Sequence, residues 1–306
     1  MLADAVFEGG GVKVLGFLGA ISILEREGYQ WNRLAGTSAG AIIASLIAAG
    51  YTAREIKVEM DHLDFKKFRD RSVWFLFPVI GPGIRFAIRK GFHSGNYLKQ
   101  WLEVRLRKKG IVTFYHLKED KLKIIASDIT RGKMLVMPDD IKDYGIDPHN
   151  LKVADAVRMS CSIPFYFDPV QIMSQNNEKC FIVDGGVLSN FPVWIFDTDN
   201  IPKWPTIGFK LVSPNEGKPA KIRGPLSLSH AIINTMLEAH DMRHVKHKHA
   251  IRTIFIETNH VKTTSFDLTI KDKKMLYQSG EEAAKKFLSE WNFTSYVEGL
   301  RRKKEG

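Results

Sequence analysis

Residues 3–8, Ala-Asp-Ala-Val-Phe-Glu, form a short, mostly apolar run that breaks on Gly9-Gly10-Gly11, the pattern of a buried strand ending in a turn. Beyond the glycines, Leu15, Leu18, Ile21 and Leu24 recur at helical spacing until Gly28 supplies a stop signal. A second short strand near 30–35 leads into Gly36-Thr37-Ser38-Ala39-Gly40, and Ala39 to Ala49 reads as a compact helix closed by Gly50. Strand, glycine turn, helix, strand, serine turn, helix is the opening of a parallel α/β sheet. The pattern predicts further strands at 121–128, 133–137, 180–183, 205–211 and 252–256, and helices at 54–62, 94–109, 152–159, 227–244 and 272–291.

No internal repeat or low-complexity linker divides the 306 residues, so the expectation is one domain carrying an insertion over about 68–93. That stretch mixes Trp74, Phe75 and Phe77 with Pro78, Gly81, Pro82 and Gly83, and sets Arg69, Arg71, Arg85, Arg89 and Lys90 around them. Proline and glycine at this density argue against one long helix. A loop folded onto the core accounts for the segment; so does an apolar, basic-rimmed lid or interfacial patch.

Composition narrows the class. With 44% hydrophobic and 26% charged residues the chain has the make-up of a globular protein with a substantial core. Its two cysteines, Cys161 and Cys180, make no disulfide framework and no C-x-x-C, which fits a reducing compartment. The apolar stretch Val14–Leu24 is preceded by Asp4, Glu8 and a single lysine, without the basic lead of a signal peptide. Residues 39–51 are too few to cross a bilayer, which takes about 20. A cytoplasmic protein is therefore expected. The net charge of +11 favours anionic partners, but the charges are dispersed, no recognition module is legible, and no specific nucleic acid is predicted.

Three segments carry candidate chemistry. Gly36-x-Ser38-x-Gly40 between a strand and a helix is the geometry of a nucleophile elbow, with the serine at the helix's amino end where negative charge is favoured. Gly9-Gly10-Gly11, followed by Lys13, leaves successive N–H groups unobstructed, and such a nest suits a phosphate or an oxyanion. The nucleotide-binding fingerprints are absent or incomplete, so an oxyanion site is the better match. Asp184-Gly185-Gly186 follows the apolar strand ending at Val183; its carboxylate can point into a site, and an Asx turn explains the same residues. Among the histidines, His240, His244, His247 and His249 lie in a cationic cluster without the Glu of a zinc helix. His230 has the chain order of a triad histidine, yet its place at a predicted helix start suits a cap.

Taken in order, Gly9-Gly10-Gly11-x-Lys13, Gly36-x-Ser38-x-Gly40 and Asp184-Gly185-Gly186 resemble the patatin-like phospholipase family of lipid acyl hydrolases. Supporting likenesses are Ala126-Ser127-Asp128, the stretch from Ala154 to Pro169, and Phe266-Asp267-Leu268 before a helix with Gly280, so that the resemblance spans about residues 4–290. It implies a three-layer α/β sandwich with a central, mostly parallel sheet flanked by helices. It also implies a Ser38–Asp184 dyad in place of a triad, with N–H groups of Gly9, Gly10 and Gly11 as oxyanion hole and Lys13, Gly36, Gly40, Gly185 and Gly186 as supporting motif. No metal or cofactor is called for. The implied substrate is a phospholipid or other lipid ester, and the positive charge suits peripheral contact with an anionic membrane surface. One departure stands out: the family often has glycine where this chain has Val14. A His-dependent esterase and a catalytically idle lipid- or nucleic-acid-binding scaffold are the alternatives.

Overall fold

Strand β1 (Leu2–Phe7) is buried from its second residue onward and forms the middle of the sheet. The computed structural model describes residues 1–68, 85–86, 88–213, 222, 231, 235, 247–259, 261 and 267–298. After β1 come α1 (Leu15–Arg26), β2 (Gln30–Thr37), α2 (Ala39–Ala48) and α3 (Ala53–Asp61). The order continues through β3 (Gly91–His93), α4 (Asn96–Lys108), β4 (Leu122–Asp128), β5 (Lys133–Met137) and α5 (Val153–Ser160). Next are β6 (Phe165–Phe167), β7 (Val170–Met173), β8 (Lys179–Asp184), β9 (Thr206–Val212), β10 (Thr253–Glu257) and α6 (Ile270–Glu290).

Eight strands make one sheet in the order β10-β9-β1-β2-β4-β8-β7, with β5 on β4 as a branch. The pairs from β10 to β4 are all parallel, as expected where helices provide the crossovers. β5, β8 and β7 add antiparallel pairs at the other end. β3 and β6 form a separate parallel pair. Alternation along the strands divides the sheet into two faces. Ala3, Ala5, Phe7, Leu34 and Phe209 join the large core with the helices, whereas Val6 and Ala35 are covered by Phe191, Val193 and Phe196. Phe7 stacks on Phe209 at 4.7 Å between ring centroids, which binds β1 to its neighbour β9 by side chains as well as by their ladder. The result is a mixed α/β fold with a central, mostly parallel sheet flanked by helices. Among the described residues no helix is long and apolar enough to cross a membrane.

Predicted and observed elements differ at their ends for local reasons. α6 starts two residues before the predicted 272 because Thr269 and Asp272 form a capping box, each side chain accepting the other's N–H at 3.1 and 3.0 Å. The three-residue strands β3 and β6 and the four-residue β7 have no prediction, since runs this short carry no period of their own. Of the insertion over 68–93, residues 69–84 and 87 lie outside the described residues, as does nearly all of the predicted helix 227–244.

Helices α1 and α6 cross at backbone contact. A Cβ added at Gly280 would lie 1.9 Å from the Gly16 carbonyl oxygen, and one at Gly19 would lie 1.9 Å from the Tyr277 carbonyl oxygen. Both obstacles are backbone, which cannot rotate aside, so the two helices would have to separate. Gly280→Ala is expected to destabilise the fold by about 1–3 kcal/mol by overpacking, despite alanine's better helix propensity. Urea denaturation checks this against Glu282→Ala on the exposed side of the same helix, expected within about 0.5 kcal/mol of wild type.

Candidate active site

The site is built by the way β4 is shared. β5 occupies one edge of β4, opposite Ile124 to Asp128. Both β2 and β8 must then use the other edge, one after the other. β2 runs parallel to β4 and ends with Thr37 opposite Ile125, while β8 runs antiparallel and ends with Asp184 opposite Ala126. The two strands meet head to head at adjacent register positions. Their next residues turn out of the sheet together, and the Ser38 hydroxyl donates to Asp184 Oδ2 at 2.6 Å.

Ser38 is held in a backbone conformation that an L-residue rarely adopts, φ 53° and ψ −127°. Such a position costs about 1–3 kcal/mol and persists only where the surroundings impose it. Here Ser160 imposes it: its hydroxyl accepts the Ser38 N–H at 2.8 Å and donates to the Ile125 carbonyl, tying the elbow to β4. Gly36 and Gly40 allow the chain to double back so tightly. A Cβ at Gly36 would lie 2.5 Å from the Gly40 carbonyl oxygen, and one at Gly40 would lie 2.5 Å from those of Phe7 and Glu8. Ser38 stands at the N-cap of α2 but caps nothing with its side chain; the hydroxyl is committed to Asp184 instead.

Asp184 is buried, 6% exposed, and burial pushes its carboxyl up to about 6; hydrogen bonds from the Ser38 hydroxyl and the Gly186 N–H hold it from rising further. The Gly186 N–H reaches Oδ1 at 2.8 Å, so each carboxylate oxygen has one donor. The aspartate's own N–H donates to the Ser162 carbonyl at 2.9 Å. Gly185 passes so close to β4 that a Cβ would lie 2.2 Å from the Ile125 oxygen. Cys161 lies beside the pair, and burial together with the Asp184 charge pushes its thiol well up, keeping it protonated.

The triglycine turn lies against the serine: a Cβ at Gly9 would be 3.2 Å from Ser38 Cβ. The three glycines differ in what their amides do. Gly9 N–H, expected as one of three oxyanion donors, is engaged by the Asn190 carbonyl at 3.1 Å. Among the described residues the Gly10 and Gly11 N–H groups have no hydrogen-bond partner. Both stand at the start of a 3₁₀ turn, Gly11–Val14, that runs directly into α1. Lys13 lies half-buried in this turn. Val14 takes an ordinary helical conformation, φ −60°, so valine in place of the family's glycine does not disturb the turn.

Among the described residues Ser38 and Asp184 have no histidine partner, and His230, His240 and His244 lie outside the described residues. A cleft of about 870 Å³ opens on the face of α5 that carries Asp155, Arg158 and Met159; Ser38 and Asp184 do not line it. The resemblance takes in Ser160 and Ser162 within the stretch 154–169 without giving them a role, and does not mark Asn190 at all; the three act through contacts 122, 22 and 181 positions distant in the chain.

The profile of the patatin-like phospholipase family matches residues 5–197, which takes in the glycine turn, the serine elbow and Asp184-Gly-Gly. The chain is 40% identical over 294 residues to the uncharacterized protein YqhO of Bacillus subtilis (strain 168), covering 96% of this chain and all of that one. It is 28% identical over 194 residues to the probable lipid hydrolase 463L of Invertebrate iridescent virus 6, covering 61% of each. Among solved structures, VipD from Legionella pneumophila superimposes with a TM-score of 0.55 at 17% identity, covering 94% of this chain and 66% of that one. ExoU from Pseudomonas aeruginosa, in complex with SpcU, gives 0.51 at 18% identity, covering 94% of this chain and 53% of that one. The chain thus spans about two-thirds of the one and about half of the other, and at these identities the likeness is one of fold. With the profile covering more than half its length and a full-length relative at 40% identity, this chain belongs to the patatin-like phospholipase family.

Proposed function

We propose that the protein is a lipid acyl hydrolase that cleaves carboxylic esters through Ser38 and Asp184. The observation that carries this reading is the 2.6 Å hydrogen bond from a strained elbow serine to a buried carboxylate. Family membership and the name of the viral relative, probable lipid hydrolase, support the substrate class.

In this mechanism Ser38 Oγ attacks the ester carbonyl carbon as its proton passes to Asp184 Oδ2. The carbonyl oxygen becomes an oxyanion beside the Gly10 and Gly11 N–H groups. Donors of this kind, fixed before the charge appears, supply much of the stabilisation in acyl transfer. Collapse of the tetrahedral intermediate returns the proton from Asp184 to the departing alcohol and leaves an acyl ester on Ser38. Water then attacks that ester as Asp184 takes its proton, and collapse breaks the acyl–Oγ bond, returns the proton from Asp184 to Ser38 and releases the carboxylic acid. The reaction uses no metal and no cofactor.

An ordinary carboxylate is too weak a base to serve a serine well at neutral pH. Burial changes this, because a carboxyl titrating near 6 approaches imidazole's usual value of about 6.5. The net charge of +11 favours approach to anionic lipid surfaces, and a single globular unit with peripheral membrane contact fits this reading.

Ser38→Ala and Asp184→Asn are each expected to lower kcat by more than about 10³-fold while the protein stays folded. Hydrolysis of a panel of phospholipids, glycerolipids and short-chain esters, with products identified by mass, checks this. Full activity in Asp184→Asn would move the proton acceptor elsewhere. Activity should also need ionised Asp184, so kcat/KM rises with pH up to about 6 and levels off above it; a flat profile between pH 5 and 7 would rule out this base.

The same shift has a cost in stability. Between pH 4 and 6 the folded chain holds a proton at Asp184 that the unfolded chain has released, so wild-type stability falls as pH rises through this window. Asp184→Asn removes the effect, and its stability relative to wild type should rise from pH 4 to 7 by on the order of 3 kcal/mol. Denaturant midpoints at several pH values measure the difference; a constant offset would mean that Asp184 titrates normally.

A further inference from the structure

We infer that Asn190 is a positioning residue for the oxyanion site, braced by the buried ion pair of Glu8 and Lys210, and that its side-chain amide fixes the direction of the Gly10 N–H. The inference rests on the reading of Ser38 as nucleophile and goes beyond it by naming what aims the donor.

The argument starts from one peptide plane. The Gly9 carbonyl and the Gly10 N–H belong to the same peptide unit, and in a trans peptide they point in opposite directions. Whatever holds the Gly9 oxygen therefore aims the Gly10 hydrogen. Asn190 Nδ2 donates to that oxygen at 3.4 Å and to Glu8 Oε1 at 3.3 Å, while the Asn190 carbonyl accepts the Gly9 N–H at 3.1 Å. Gly9 is gripped at both its polar groups by one residue. The grip is needed because successive glycines have wide conformational freedom, and a flipped peptide would withdraw the donor and turn a carbonyl in its place. It also dictates glycine at position 9, where a Cβ would lie 2.4 Å from Asn190 Oδ1.

Glu8 and Lys210 keep Asn190 in place. Lys210 Nζ meets Glu8 Oε1 at 2.6 Å with both side chains buried, and Glu8 Oε2 accepts the Leu211 N–H at 2.6 Å. The carboxylate is thus fixed to β9 on one side and presents an acceptor to Asn190 on the other. Next to Asn190, the Ser189 carbonyl accepts the Thr37 hydroxyl at 3.1 Å. The segment that begins at the proposed base therefore fastens both the serine elbow and the glycine turn.

The chemistry requires an amide at 190. A carboxylate of the same shape would set negative charge against both the Gly9 oxygen and Glu8, and would supply no donor. The experiment compares wild type with Asn190→Asp and Asn190→Ala. Active sites are counted by end-point labelling with a fluorophosphonate; kcat and KM are measured on a short-chain ester, together with Ki for a trifluoromethyl ketone and Tm. Asn190→Asp is expected to lower kcat per labelled site about 10²-fold, the scale of losing one oxyanion donor, with KM within about 2-fold of wild type. Ki should rise in step with the loss in kcat/KM, because both report binding of the tetrahedral oxyanion. Asn190→Ala, which loses the donor without adding charge, should fall between, and it carries the test under the same criteria if the aspartate variant does not fold. Unchanged kcat per labelled site in a folded variant, or a kcat loss with Ki unchanged, would overturn the assignment. Absence of Ser38-dependent labelling in wild type would instead overturn the nucleophile reading on which it rests.

Discussion

Everything in the site depends on two strands sharing one edge of β4. β2 fills that edge as far as Ile125, and β8, running the other way, fills it from Asp128 back to Ala126. Neither strand can extend without displacing the other, so each chain must leave the sheet where they meet. Side chains at those exits are close because the ladder spacing makes them so, not because any long flexible group reaches across. Ser160 and Gly185 secure the same place, one by hydrogen bonds and one by close approach, and both do so at the carbonyl of Ile125. A single backbone oxygen on β4 is thus the common reference for the elbow and for the aspartate turn.

The pair so formed is costly in two ways, and both costs bear on the chemistry proposed for it. Ser38 is strained in its backbone, and Asp184 is removed from water. A relaxed serine would not present its hydroxyl at the tip of the turn, and a solvated aspartate would be a weaker base. The stability to tolerate this comes from elsewhere, chiefly the large core beneath the sheet and the close crossing of α1 and α6. Functional sites commonly store strain that the rest of the fold over-determines.

Much of this was legible in the residues. The strands at β1, β2, β4, β5, β8, β9 and β10 and helices α1 to α6 are patterned by apolar periodicity, because each buries one face or both against the core. The glycines and the serine of the elbow were legible because tight turns admit few residue types. What was not legible lies in contacts between distant segments. Asn190 gives no sign in its own neighbourhood that it holds Gly9, and the different duties of Gly9, Gly10 and Gly11 depend on which amide meets the 189–190 segment. The short β3, β6 and β7 exist only because partners elsewhere complete their ladders.

The sequence by itself determined the α/β order, the two turns that carry the serine and the glycines, and the aspartate at the end of an apolar strand. These are local consequences of periodicity and of backbone sterics. Without the family resemblance, which implies Asp184, the residues alone left open which acidic or imidazole group partners Ser38, since hydrogen bonding between residues 146 positions apart is set by strand order and register. Tertiary structure brings Ser38 and Asp184 into a hydrogen bond, and with this come the raised titration of Asp184 and the committed amide of Gly9. Burial and long-range hydrogen bonds exist only once the sheet has closed around them.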